Sequence, residues 1–170
     1  KAGLVLGLTS AVFLFISQFL GQAEMPAFLN SIVSFILWAA KFVGCIWLMM
    51  FYMKKLVKDY PQADNSSTFR FGCITAALSA LIYAAVSFAN YAFISPEFLS
   101  GQIDAVMQQM APMLDSNTMA ETEKMIDKMP QITFFSNLIY CFIYGTLLSA
   151  ILSRMIPSKD PFADYKPDEQ

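Results

Sequence analysis

Lys41 is the residue on which any chemistry of this chain turns. It stands near the middle of residues 28–53, FLNSIVSFILWAAKFVGCIWLMMFYM. About 20 apolar residues at a 1.5 Å rise cross the roughly 30 Å hydrocarbon core of a bilayer, so this run spans and carries an ammonium close to its midplane. A lysine at that depth costs about 2.5–3.5 kcal/mol on insertion scales, and intramembrane charges mark functional sites by default. No Asp or Glu lies inside any long apolar run of the chain. Residues expected at matching depth are Ser10, Ser79, Tyr83, Tyr140 and Tyr144, which supply hydroxyls. The functional reading is a site for an anionic group, such as a lipid phosphate or a small solute, or a contact to an acidic partner subunit. The plainer reading is a lysine hydrogen-bonded to tyrosine and serine, or one that lies shallower because its helix starts late.

Three other groups bear on chemistry. Met107, Met110 and Met113 form Met-x-x-Met-x-x-Met, and thioethers are soft ligands that select Cu(I). Methionine at helical spacing is more often simply the apolar face of a helix, so copper is the weak alternative and no metal or other cofactor is expected. Lys54, Lys55 and Lys58 follow the Lys41 run at once. They suit anionic headgroups at about 1 kcal/mol each, and they serve equally as a topology signal. The acidic residues between 97 and 127 lack the ligand spacing of a calcium loop. Histidine is absent, which removes the commonest general base and metal ligand. Cys45, Cys73 and Cys141 all fall inside apolar runs and read as packing residues. There is no Gly-rich phosphate loop, no Ser/His/Asp set and no Cys-x-x-Cys. A non-enzymatic protein is the expectation.

The elements that must position these residues are membrane helices. The chain is 56% hydrophobic and only 14% charged, against about 25% charged in soluble domains. Four apolar runs are legible, at about residues 2–21, 28–53, 69–94 and 132–156. The first resembles a signal peptide, with Lys1 before it and Gly21-Gln22-Ala23 after it, but it exceeds the usual h-region and reads as a true span. Gly3 and Gly7, the stripe Ala76, Ala80 and Ala84, and the pair Gly145 and Ser149 are small-residue faces suited to close helix packing. Residues 62–68, QADNSST, read as a polar loop, and Ser95-Pro96 ends the third run. Between about 97 and 130, apolar residues recur at three- and four-residue steps from Leu99 and Ile103 to Met113 and Leu114, and again at Met125, Ile126 and Met129. That pattern predicts an amphipathic helical hairpin, its second helix capped at Thr118 and ended by Pro130. The tail, 158–170, is charged and expected to be disordered.

Basic residues set the orientation. Lys1, Lys54, Lys55, Lys58, Arg70, Arg154, Lys159 and Lys166 fall on one side, and only Lys124 and Lys128 on the other. The positive-inside rule places both termini in the cytoplasm and the hairpin outside. The fold expected is therefore all-α: a polytopic membrane protein, one domain over residues 1–157, with four transmembrane helices and an extracytoplasmic amphipathic hairpin between helices three and four.

Four spans, a polar loop leading through Phe69-Arg70-Phe71-Gly72 into helix three, and the exit Tyr91…Ser95-Pro96-Glu97-Phe98 resemble an uncharacterised four-helix integral-membrane family, a domain of unknown function typical of Bacteroidota. The resemblance implies a bacterial inner-membrane location and a place near lipid-linked sugar or envelope metabolism; it supplies no active site. The leading functional expectation is an accessory or scaffold protein that binds membrane lipids and a protein partner, or a second copy of itself, and no nucleic acid. The alternative is a binder or transporter of an anionic lipid or small solute through Lys41.

Overall fold

In the computed structural model the described residues are 1–21, 26–60, 63–110, 126 and 128–156. They form α1 (Ala2–Gly21), α2 (Ala27–Asp59), α3 (Asn65–Ala89), a π-helical turn (Asn90–Ile94), α4 (Pro96–Met110) and α5 (Met129–Met155), with no strand among them. Four of these helices are long and apolar enough to cross a membrane: α1, α2, α3 with its π-turn, and α5. Helices are the expected answer there, because lipid leaves the backbone no partner except itself.

Specific contacts fix the directions. Gly3 faces Leu78 and Gly7 faces Ile82, so α1 and α3 run parallel. Gly72 meets Ser149 and Gly145 meets Ala76, so α3 and α5 run antiparallel. Ser10 lies beside Cys45 while Leu6 packs with Met49, and Lys41 lies over Tyr83 while Met53 reaches Gly72, so α2 opposes both α1 and α3. One end of the bundle thus gathers the exposed residues Lys54, Lys55, Lys58, Arg70 and Arg154, called the basic end below.

Small residues draw α1, α3 and α5 into one seam. The buried face of α3 is Thr68, Gly72, Thr75, Ala76, Ala80, Ala84 and Ser87, a single stripe at helical spacing. A Cβ on Gly3 would stand 2.6 Å from Leu78 Cβ, and one on Gly145 would stand 2.5 Å from Ala76 Cβ. These glycines are therefore spent on close helix approach within the chain. Ser149 Oγ donates to the Phe69 carbonyl at 2.9 Å across the α3–α5 contact. Near the opposite end, Asn90 Nδ2 donates to Gln18 Oε1 at 2.7 Å and joins α3 to α1.

The helix α2 is attached differently. Only 6% of its most apolar stretch is buried, against 39% in α1 and 33% in α3. What it does bury lies toward the basic end, where Met49 and Met53 pack with Leu6, Leu152 and Ile156.

Several boundaries differ from the sequence reading. The second helix continues past 53 to Asp59, so Lys54, Lys55 and Lys58 ride on a helical extension. At 33 residues it is about 50 Å long, well over the hydrocarbon thickness. Residues 65–68 are not loop but the first turn of α3, because the Asp64 carboxylate accepts the Ser67 N–H at 2.7 Å and caps the helix. Pro130 begins α5 instead of ending the helix before it, since a first-turn proline has no N–H to forfeit. The predicted second hairpin helix (about 118–129) falls almost wholly outside the described residues, as do Met113 and the tail 158–170.

Candidate functional site

The inner face of α2 carries the sequence of residues that makes a site. Asn30, Ser34, Trp38, Lys41, Cys45 and Met49 recur at steps of three or four, so they form one line along the helix. Toward the basic end that line is pressed against the seam. Farther along it stands away, and two cavities lie between α2 and the other helices.

The inner cavity has a volume of about 170 Å³. Ser10, Lys41, Ser79, Tyr83, Tyr140 and Tyr144, the six residues singled out by depth, all line it. Leu6, Met49, Ala76, Gly145 and Leu148 make its floor apolar toward the basic end. A cavity of about 150 Å³ accepts a benzene-sized molecule, so this one holds a group of that order and not a whole lipid. The outer cavity is larger, about 490 Å³. It brings Ser17, Gln18, Asn30, Ser34 and Tyr91 together, with Phe98 of α4 at its far end beside Gly21. Trp38, Lys41 and Tyr83 belong to both cavities, so the two meet at the lysine.

The plainer reading of Lys41, an ammonium hydrogen-bonded to tyrosine and serine, is not what the described residues hold. Its Nζ sits 4.1 Å from the centroid of the Tyr83 ring, over the face and not at the phenol oxygen. Ser10 Oγ is instead 3.6 Å from Cys45 Sγ. The Tyr144 hydroxyl is buried without a hydrogen-bond partner. Among the described residues Lys41 makes no ion pair. A cation–π contact returns about 0.5–2 kcal/mol, short of the roughly 2.5–3.5 kcal/mol of insertion. Within a bilayer core that contact alone would leave the ammonium under-compensated, and Lys41 lines both cavities.

Aromatic rings frame one side of that space. Phe35, Trp38, Phe42 and Tyr144 follow one another at centroid distances of 6.0, 5.4 and 5.3 Å, and Tyr140 stacks on Tyr144 at 6.4 Å. Tyr140 is 66% exposed and Trp38 55% exposed although both line the inner cavity. The cavity therefore opens sideways, between α2 and α5, toward the bilayer.

The remaining candidates are not brought to this site. Lys54, Lys55 and Lys58 are exposed at the basic end and line neither cavity. Met107 is half-buried on α4, Met110 ends that helix, and Met113 lies outside the described residues, so no Met₃ geometry stands among them. No group of three His, Cys, Asp or Glu side chains that could hold a metal occurs among the described residues.

Asn30, Ser34 and Gln18 escaped the sequence reading. The i, i+4 spacing of Asn30 and Ser34 on the Lys41 face was the available signal. Asn90, read as an interfacial or packing residue, is fully buried and bonded to Gln18. It opens the π-turn, and Ser95 N–H donates back to its carbonyl at 2.8 Å. Such turns interrupt the regular ladder and are frequent at functional sites. Here the turn contains Tyr91, which lines the outer cavity.

Comparison with curated proteins and with solved structures finds no match. A family model does match, over residues 1–156, and the chain belongs to that family, described as Protein of unknown function (DUF4199).

Proposed function

We propose that the protein is a membrane-embedded binding protein for an anionic group, which it holds at Lys41 in the gap between α2 and the α1–α3–α5 seam. One observation carries the reading: the Lys41 ammonium, on a helix long and apolar enough to span, lines a cavity over the Tyr83 ring and makes no ion pair among the described residues. An anion there would supply the missing compensation at a depth where charge interactions are weakly screened. Ser10 and Ser79 line the same cavity and supply hydroxyls for hydrogen bonds to that group. The machinery of bond-breaking is not needed for this role.

The basic end is assigned to the cytoplasm and the outer cavity to the far side on the distribution of lysine and arginine, and a bacterial inner membrane is what the family resemblance implies. A scaffold would bind its partner through small-residue helix faces and the outer hairpin. The small-residue faces are occupied inside the chain, by Leu78, Ile82, Ala76 and Ser149, which moves the weight to the Lys41 site.

The test is native mass spectrometry of protein extracted gently from its own membrane, as wild type, Lys41→Met and Lys41→Arg. An anionic adduct bound to wild type and Lys41→Arg but absent from correctly inserted Lys41→Met is the expected result. Identical adducts on all three would refute the site. Loss of a co-purifying protein from Lys41→Met alone would place the lysine at a subunit interface instead.

A further inference from the structure

We infer that the ligand is a lipid-class amphiphile bound in a fixed direction: polar head in the outer cavity, anionic group on Lys41, and chain in the inner cavity, leaving sideways between α2 and α5. This rests on the reading of Lys41 as an anion site and adds the ligand's chemical class, its orientation and its route.

The two cavities differ in character along one axis. The outer one offers the side chains of Ser17, Gln18, Asn30, Ser34 and Tyr91, which suit hydroxyl, amide or phosphodiester groups. The inner one ends in Leu6, Met49, Ala76 and Leu148, which suit methylenes. Lys41 stands where they meet. From Asn30 to Met49 the lined face of α2 runs about 28 Å along the helix. That is a slot with a polar half, a charge at its middle and an apolar half, the order found in an anionic lipid.

The route follows from exposure. A soluble anion would use the outer cavity alone and would leave the inner one without purpose. The inner cavity instead opens through Trp38, Phe42 and Tyr140, which are exposed at the α2–α5 gap. Rings there give a chain a flat apolar surface to slide over. The weak attachment of α2 beyond Met49 leaves that gap without the small-residue interlock that closes the seam.

The chain contains two tryptophans, Trp38 and Trp47. Trp47 lines neither cavity, so Trp47→Phe leaves Trp38 as the reporter. Protein reconstituted in phosphatidylcholine vesicles is titrated with phosphatidic acid or phosphatidylcholine carrying bromine near the head or near the chain end. In bulk lipid a tryptophan close to the midplane is quenched best by chain-end bromine. The bound lipid reverses this, because its head is drawn down to Lys41, one helical turn from Trp38. The expected result is saturable quenching by brominated phosphatidic acid at tenfold or more lower mole fraction than phosphatidylcholine, stronger for head-proximal bromine. Lys41→Arg keeps that phase and Lys41→Met loses it. Equal quenching by both lipids, or stronger quenching by chain-end bromine, overturns the inference. If inorganic phosphate adducts form with wild type and not with Lys41→Met while lipid quenching stays unselective, the anion site stands and the lipid assignment falls. If neither probe responds to Lys41→Met, both fall.

Discussion

The α1–α3–α5 seam and the helix α2 are built from the same apolar alphabet and do opposite things with it. In the seam, side chains are small and backbones approach until a single added methyl would collide: Gly72 against Ser149 and Met53, Gly145 against Ala76. On α2 the side chains are large, Phe35, Trp38, Phe42 and Trp47 among them, and Gly44 has nothing within 4 Å of where a Cβ would stand. Hydrophobicity does not distinguish the two, since lipid tails are as apolar as leucine and give helices no reason to associate. Side-chain size does. Small faces make a rigid wall, and large ones hold the fourth helix off that wall and leave room around Lys41.

The largest expected effect breaks the seam. Gly72→Val places a branched side chain into Ser149 and Met53, and Gly145→Val into Ala76. Overpacking of this kind costs about 1–3 kcal/mol and, against backbone, more. Gly44→Ala on α2 meets open space and gains about 0.5–1 kcal/mol of helix propensity. Thermal unfolding in detergent should therefore separate the two helices by the sign of the shift. Equal losses at Gly72 and Gly44 would erase the distinction between seam and α2.

The next effect sharpens it at the outer end. Asn90→Leu removes the bond to Gln18 and leaves a buried carbonyl oxygen unpaired. A cost of about 1–3 kcal/mol is expected, read by the same melting measurement. Gln18→Leu with Asn90→Leu should recover part of it, because an apolar pair leaves neither Gln18 Oε1 nor the already unpartnered Asn90 Oδ1 buried without a hydrogen bond.

The smallest effect lies outside the membrane, at the α3 cap. Hydrogen bonds from the Ser67 side chain and backbone hold the Asp64 carboxyl below its usual 3.8. A depressed folded pKa contributes stability that is complete above the unfolded value and lost as pH falls through the folded one. Wild type should therefore lose a small increment of melting temperature below about pH 4. Asp64→Asn keeps a capping side chain and should flatten that dependence. An unchanged slope in Asp64→Asn would remove the cap from the account.

Much of this arrangement was legible in the sequence. Apolar run length gave the four spans, and the stripes Gly3/Gly7 and Ala76/Ala80/Ala84 gave the seam, because close approach needs small residues at one helical face. Depth alone gathered Ser10, Ser79, Tyr83, Tyr140 and Tyr144 around Lys41, since residues at equal height in antiparallel spans meet if their faces do. The partner of the ammonium was not legible, because whether Lys41 Nζ finds a hydroxyl or a ring depends on side-chain rotation and not on height. Nor was the outer cavity, which exists only because α2 stands away from α1 beyond the Ser10–Cys45 contact. Residues 65–68 and Pro130 were misplaced for a local reason: polar residues and proline mark helix starts as readily as they mark loops.

The central claim is that the space left by α2 binds an anion through Lys41. Its most direct measurement is the affinity of purified protein for dodecyl phosphate and for dodecanol, in wild type and Lys41→Met. Wild type should prefer the phosphate by tenfold or more, about 1.4 kcal/mol, and Lys41→Met should bind the two alike. A phosphate preference that survives in Lys41→Met would contradict the claim.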